Sequence, residues 1–115
     1  MAVKKDIEHQ TQTGCVNWFR YVYNDALIFA VPNGGRRDRK TGSRLKAEGV
    51  LAGVADIIIL SSVGTIFIEM KTKTGSQAAS QKEFQRKVEA LGYHYYVCHT
   101  FDEFQQVVEK ELGRR

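Results

Sequence analysis

Residues 54–71 read VADIIILSSVGTIFIEMK, and this stretch decides the predicted fold. It contains two runs rich in β-branched and aromatic residues, 54–60 and 65–71, which are typical of β-strands. A connection of only four residues, 61–64, lies between them. Strands joined by so short a connection are antiparallel, because a parallel crossover needs roughly a dozen residues or more. The stretch therefore predicts a β-hairpin.

Patterns outside the hairpin predict helices and further strands. Apolar or small residues recur at steps of three and four in 6–23, 80–91 and 101–112, which is helical spacing. Residues 26–31 and 93–99 are short runs of branched and aromatic side chains, which favour strands. The order α-β-β-β-α-β-α predicts an α/β fold with a mixed central sheet flanked by helices.

Length and composition favour one folded domain that spans residues 1–115. The chain has 43% hydrophobic and 26% charged residues, which is typical of a soluble globular domain and not of a disordered or disulfide-rich one. No run approaches the roughly 18 apolar residues of a membrane span, and the charged N-terminus lacks the apolar run of a signal peptide. We therefore expect a cytoplasmic protein without membrane association.

The cysteines and histidines do not form a recognisable metal-binding or redox motif. Cys15 and Cys98 have no close partners in the sequence, so we expect both to be reduced and half-buried. His94 and His99 are five positions apart on one predicted strand and therefore face opposite sides of the sheet. These spacings argue against a zinc site.

The basic residues are concentrated in one segment. Between residues 33 and 46 there are six basic residues and one acidic residue. Residues 33–53 have no sustained apolar period and contain five glycines, so we predict a long irregular connection. The concentrated charge favours a polyanionic partner. The alternative is a solvated loop with no binding role.

The hairpin register predicts a pair of facing carboxylates. If Leu60 lies opposite Thr65, then Asp56 lies opposite Glu69, with Cβ atoms about 4.5–5.5 Å apart. Two carboxylates at that distance in an apolar hairpin repel each other and are costly to desolvate, and a cation between them removes the conflict. Oxygen ligands of this kind favour Mg²⁺ or Mn²⁺ over zinc.

Lys71 extends the same site and also supplies its alternative. Side chains on a strand alternate, so Lys71 points to the same face as Glu69 and could balance charge that develops on a phosphate. However, a Glu-x-Lys triplet arises readily by chance. Glu69 and Lys71 could therefore be an exposed ion pair with no catalytic role.

Three motifs give the chain a family resemblance: the tetrapeptides 53–56 (GVAD) and 68–71 (IEMK), and Gln81 at the start of the next helix. This pattern resembles the PD-(D/E)xK nuclease superfamily. With Glu8 and the turn at 32–35, it resembles the minimal stand-alone form of the virus-type replication-repair nuclease (VRR-NUC) family. Ala55 stands where the superfamily has proline, a position that shapes the backbone and provides no ligand. The resemblance covers about residues 8 to 104 and implies a restriction-endonuclease-like α-β-β-β-α-β core.

The resemblance implies a role for each matched residue of the hairpin. Asp56 and Glu69 match the metal-binding carboxylates, which are also catalytic. Lys71 matches the catalytic lysine. The main-chain carbonyl of Met70 would be a further metal ligand.

Two helix residues match the family more weakly. Glu8 matches a glutamate that holds the metal through water or binds a second ion, although an acidic residue in the first turn of a helix is also explained by the helix dipole. Gln81 matches the catalytic glutamine of the family, although it could be an ordinary solvated residue. Ser80 and Glu83 have the spacing of a capping box and predict where this helix begins.

The implied function is a Mg²⁺- or Mn²⁺-dependent endonuclease, of a phage or a bacterium, that acts as a homodimer on branched DNA such as four-way junctions. It needs no organic cofactor. The basic segment would contact phosphates without reading bases. The residues assigned to DNA binding are Asn33, Arg36, Arg37, Arg39, Lys40, Arg44 and Lys46. The alternatives are a non-catalytic module that binds branched DNA, and a ribonuclease or base-specific restriction-like enzyme.

Overall fold

The computed structural model describes residues 2–32 and 39–115. Its elements, in chain order, are α1 (Ala2–Val22), β1 (Leu27–Ala30), α2 (Arg39–Ala47), β2 (Ile57–Ser61), β3 (Gly64–Met70), α3 (Ala79–Ala90), β4 (His94–Cys98) and α4 (Phe101–Leu112). Apart from α2, this is the predicted order, and the α/β class is confirmed. Within the described ranges, no helix is long and apolar enough to cross a membrane.

The four strands form one mixed sheet in the order β1-β2-β3-β4. β2 is antiparallel to both β1 and β3, whereas β3 and β4 are parallel. The hairpin register is confirmed, because Leu60 pairs with Thr65 and Ile57 pairs with Ile68. Ser61 pairs with Gly64, so the connection is shorter than predicted. α3 makes the crossover that a parallel pair requires.

The two faces of the sheet are covered by different helices. α1 and α4 pack on one face against buried isoleucines of β2 and β3, whereas α3 packs on the other face against Tyr95. Side chains alternate along β3, so Ile68 and Met70 enter the larger core while Phe67 and Glu69 point toward α3. A charged residue therefore lies on the interior face of a central strand.

The helix α2 lies within the segment predicted to be irregular, so that prediction is wrong. Its sequence, RKTGSRLKA, has Leu45 as its only large apolar residue and so shows no apolar period. The sequence nevertheless contains a residue that marks the end of this helix, Gly49. Gly49 has φ +103°, its N–H donates to the carbonyl of Lys46, and the N–H of Val50 donates to the carbonyl of Leu45. These are the bonds of a Schellman motif, which ends a helix at a glycine.

The spacing of Ile7, Thr11, Cys15, Trp18 and Val22 predicts the buried stripe of α1, and the structure buries a partly different set. Cys15, Phe19 and Tyr23 have no exposed surface, whereas Trp18 lies at the edge of the core. Cys15 and Cys98 are free thiols and fully buried, so the prediction of half-burial is wrong. Both lie in the core between the helices and the sheet, and burial raises the pKa of each thiol to about 12.

Candidate active site

Glu69 is a fully buried carboxylate near the end of β3. Its Oε1 accepts hydrogen bonds from the Tyr95 hydroxyl at 2.5 Å and from the Gln77 Nε2 at 3.1 Å. Its Oε2 is buried and receives no hydrogen bond from any part of the chain that the structure describes. Burial of a carboxylate is costly unless its charge is balanced. The two oxygens are thus in different situations, one saturated and one available to a cation.

Lys71 provides a positive charge beside that available oxygen. Its Nζ lies 3.5 Å from Oε2 of Glu69, and its side chain is only 19% exposed. Its main-chain N–H donates to the carbonyl of Cys98 at 2.9 Å, which extends the parallel pairing beyond β3. The predicted common face of Glu69 and Lys71 is confirmed. The alternative of an exposed ion pair is wrong, because Glu69 has no exposed surface.

Asp56 immediately precedes β2 and continues the register that pairs Ile57 with Ile68, so it lies opposite Glu69. Its Oδ2 accepts a hydrogen bond from the main-chain N–H of Met70 at 2.8 Å. Its carbonyl accepts one from Val31 at 2.8 Å, which ties it to the strand on the other side. The backbone on both sides of Asp56 is therefore fixed by the sheet.

The Tyr95 hydroxyl lies close enough to both carboxylates for their negative charges to affect its pKa. Burial raises the pKa of the Tyr95 hydroxyl, and the hydrogen bond to Glu69 and the negative charges of Glu69 and Asp56 raise it further. The phenol is therefore a hydrogen-bond donor at neutral pH. No sequence pattern singles out Tyr95, because its position beside Glu69 depends on the register of the parallel pair β3 and β4.

Gln77 is a second residue that contacts Glu69 without any sequence pattern that predicts it. It precedes α3, and its Nε2 bridges Oε1 of Glu69 and Oε1 of Gln85, the latter at 2.9 Å. Gln85 in turn donates to Glu89 at 3.3 Å. A row of amide side chains thus leads from the buried carboxylate along α3 to the surface. A glutamine in a polar turn carries no sequence signal for such a contact.

Gln81 occupies a capping position. Its Oε1 accepts a hydrogen bond from the N–H of Ala78 at 2.8 Å, and Ala78 is the N-cap of α3. The predicted capping pair of Ser80 and Glu83 is therefore wrong. The start of α3 also lies close to Gly53, which has φ +81°, and a Cβ there would lie 2.3 Å from the carbonyl oxygen of Ser80. Only glycine fits this approach, which brings the chain leading to Asp56 against α3.

Glu8 lies on α1, the helix that packs on the face of the sheet opposite α3. It lines a cavity of about 460 Å³ together with Lys71, Lys73 and His99. Because α1 begins at Ala2, Glu8 is not in its first turn, and the helix-dipole explanation is wrong. Across residues 2–32 and 39–115, no three His, Cys, Asp or Glu residues are grouped closely enough to hold a metal. The structure thus brings Glu8 to Lys71, and Asp56 to Glu69.

The basic residues lie partly outside the described ranges, which exclude Asn33, Arg36 and Arg37. Arg39 and Lys40 are the first two residues of α2. Arg44 is exposed and pairs with Glu48 at 3.4 Å. Lys46 lines a cavity of about 970 Å³ that also touches Gly53 and Ser80. The basic helix therefore borders the segment that leads to Asp56.

Comparison with known proteins identifies the fold. No protein-family model and no curated protein matches the sequence. Among solved structures, a chain described as a VRR_NUC domain protein matches with a TM-score of 0.73 and 22% sequence identity. The match covers 91% of this chain and 87% of that chain. The chain therefore has a VRR-NUC-like fold, as the sequence predicts.

Proposed function

We propose that this chain is a metal-dependent DNA endonuclease that hydrolyses phosphodiester bonds. The observation that carries the proposal is the buried carboxylate of Glu69, whose Oε2 has Lys71 at 3.5 Å and no hydrogen bond from the described residues. Asp56 lies opposite it, held by the backbone of Met70. The VRR-NUC-like fold is a nuclease fold and supports the same chemistry.

The residues at this place fit a hard divalent cation. Oε2 of Glu69 is a buried polar atom that a cation would satisfy, and Asp56 brings a second carboxylate to it. With the main-chain carbonyl of Met70, the donors are all oxygen, which favours Mg²⁺ or Mn²⁺. We assign Glu8, which shares a cavity with Lys71, to contacts through water or to a second ion. A bound cation would polarise the phosphate and lower the pKa of an attacking water.

The chain's own residues position and stabilise the reacting phosphate. Lys71 is partly exposed and held beside Glu69, so its charge can meet the negative charge that develops on a phosphate. Gln81 contributes by capping α3, which packs against Gly53 and so fixes the approach to Asp56. These groups need no organic cofactor.

The basic residues supply the affinity for DNA that a negative site lacks. Arg44 and Lys46 are exposed on α2, and Lys46 borders the cavity next to Gly53. With Arg39, Lys40, Asn33, Arg36 and Arg37, they would contact phosphates without reading bases. We propose that the substrate is branched DNA such as a four-way junction. A homodimer with two-fold symmetry would make paired cuts on opposing strands.

The experiment is a cleavage assay of the purified chain on end-labelled DNA. The substrates are a four-way junction, a flap, nicked and linear duplexes and single strands, each with Mg²⁺, Mn²⁺ or EDTA. The test variant is Glu69→Gln. The matched control is Glu111→Gln, which changes the carboxylate that accepts from the neighbouring Tyr96 instead of Tyr95.

We expect symmetric junction cuts with metal, none in EDTA, loss of cutting in Glu69→Gln and normal cutting in Glu111→Gln. Junction binding without cleavage under any metal would contradict the enzyme and leave a DNA-binding module. Cleavage that an excess of unlabelled RNA suppresses more strongly than DNA would instead point to an RNA substrate, and cleavage of labelled RNA would identify a ribonuclease.

A further inference from the structure

Two hydrogen bonds reach Oε1 of Glu69, and none from the described residues reaches Oε2. We propose that Tyr95 and Gln77 are positioning residues that hold this carboxylate with Oε2 turned to the cation. The inference rests on the proposed function, because it concerns the same site. Both donors, from β4 and from the turn before α3, reach Oε1, at 2.5 Å and 3.1 Å. Across residues 2–32 and 39–115, Oε2 receives no hydrogen bond. Its ion-pair partner is Lys71, whose Nζ lies 3.5 Å away.

Tyr95 is itself rigidly placed. It is 5% exposed and packs with Ala55 and Val88 in the smaller core. Its ring meets that of Phe84 edge-on, with centroids 6.1 Å apart. A donor on a locked ring fixes the direction from which Oε1 is approached, and thereby the plane of the carboxylate. Flexible Glu69 thus behaves as a preorganised ligand before any cation arrives.

Gln77 fixes the same oxygen from a second direction. Its amide is oriented because its Nε2 also donates to Gln85 at 2.9 Å. Two donors on Oε1 leave that atom little capacity for a metal, whereas Oε2 keeps its full capacity. Without them, no hydrogen bond to Oε1 holds the plane of the carboxylate, and the carboxylate can rotate away. Outer-sphere partners of this kind typically change metal affinity by roughly 10- to 100-fold.

The next residue on β4 provides a matched control. The Tyr96 hydroxyl also donates to a glutamate, Glu111, but on the opposite face of the sheet. Tyr95→Phe and Tyr96→Phe therefore remove the same atom from adjacent residues, each from a tyrosine–glutamate pair. Only the first pair belongs to the candidate site.

The experiment measures Mn²⁺ binding to the full chain by calorimetry and by electron paramagnetic resonance, with thermal unfolding of each variant alongside. We expect Tyr95→Phe, measured in the folded chain, to raise the Kd for Mn²⁺ about 10-fold or more, with some loss of thermal stability because a buried carboxylate loses a donor. Tyr96→Phe should leave that Kd within about twofold of the wild type, and Glu69→Gln should abolish binding. If Tyr95→Phe does not fold, Gln77→Leu removes the other donor outside the core and should weaken Mn²⁺ binding in the same direction.

A Tyr95→Phe variant that folds and binds Mn²⁺ as tightly as the wild type would overturn the inference alone. A wild type that binds Mn²⁺ through Glu69, loses affinity in Tyr95→Phe and yet cuts no nucleic acid would overturn the proposed function alone. A wild type that binds no Mn²⁺ would overturn both.

Discussion

The main-chain N–H of Met70 donates to Oδ2 of Asp56 at 2.8 Å, so the residue that follows Glu69 on β3 also fixes the carboxylate opposite Glu69. One strand therefore carries one acidic group and anchors the other. The separation of the two groups is set by backbone geometry and not by side-chain flexibility. A substitution can therefore remove the charge of Asp56 and keep its hydrogen bond to Met70.

The first prediction uses such a substitution. In Asp56→Asn the side-chain carbonyl still accepts the Met70 N–H and the repulsion with Glu69 is removed, so the free energy of unfolding in metal-free buffer should not fall. Cleavage should fall about 100-fold or more, the scale of losing one electrostatic group at an active site. In Asp56→Ala the buried N–H also loses its acceptor, which should cost about 1–3 kcal/mol in urea unfolding. Equal cleavage by wild type and Asp56→Asn would refute a role for this charge.

Glu69 and Lys71 should show a large coupling energy in their contributions to the free energy of unfolding. Glu69 is fully buried and its Oε2 lies 3.5 Å from Nζ of Lys71. Lys71→Met leaves that charge unbalanced and should lower the free energy of unfolding by about 3 kcal/mol in metal-free buffer. The double variant Glu69→Gln/Lys71→Met should be more stable than Lys71→Met alone, because no charge remains buried. A double-mutant cycle with no coupling energy would show that the pair is not electrostatically linked.

Two glycines should respond in opposite directions to replacement by alanine. A Cβ at Gly53, where φ is +81°, would lie 2.3 Å from the carbonyl oxygen of Ser80. Gly53→Ala should therefore destabilise the fold by more than about 2 kcal/mol, from backbone strain and from the displaced start of α3. Gly14 lies within α1 with open space around its Cβ position. Gly14→Ala should stabilise by about 0.5–1 kcal/mol.

These two variants are compared by chemical unfolding at one pH. Both changes add one methyl group. The difference between their effects on the free energy of unfolding therefore comes from the local backbone conformation and from the close contact at residue 53. A stable Gly53→Ala variant would show that α3 can move away from residue 53.

Glu111 should make stability depend on pH. Burial by itself would raise the pKa of Glu111, but hydrogen bonds from Tyr96 and His94 outweigh it and hold the pKa below its ordinary 4.5. A carboxyl with a lowered folded pKa stabilises the protein above its unfolded value and loses this effect as the pH falls through the folded one. The wild type should thus be more stable than Glu111→Gln at pH 7, with the difference vanishing well below pH 4.5. Urea unfolding across that range measures it, and a difference that persists at low pH would contradict it.

The contribution of Lys46 to DNA affinity should appear in the salt dependence. If Lys46 neutralises one phosphate, Lys46→Ala should reduce the slope of log Kd against log salt by about 0.9. Lys110→Ala, on α4, is the matched control and should leave the slope unchanged. Fluorescence anisotropy of labelled junction DNA at several NaCl concentrations gives both slopes. Identical slopes for wild type and Lys46→Ala would place the DNA elsewhere.

Local parts of the fold and the site were predictable from the sequence. The opposition of Asp56 and Glu69 follows from the hairpin register, because a short connection allows few pairings and the apolar pattern selects one of them. The common face of Glu69 and Lys71 follows from the alternation of side chains along a strand. Both are confirmed.

The contacts around Glu69 were not predictable in the same way. Tyr95 reaches Glu69 only because β4 lies parallel to β3 with Phe67 beside Tyr95, and a crossover through α3 does not fix that register in advance. The helix α2, with the sequence RKTGSRLKA, has Leu45 as its only large apolar residue and so lacks an apolar period. Sequence patterns thus predict pairings made by neighbouring segments, whereas long-range contacts depend on how the layers pack.

The hairpin that carries the acidic pair also affects how the chain folds. Its turn consists of Ser62 and Val63, and Asp56 and Met70 are bound together although they lie 14 positions apart. Contacts so close in sequence form early, since little chain entropy is lost in closing them. We therefore expect Asp56 and Glu69 to repel each other before α1 and α4 cover the sheet. If that repulsion slows hairpin formation, refolding should be faster in the presence of a divalent cation, and the same pair of carboxylates would then affect both the rate of folding and the proposed chemistry.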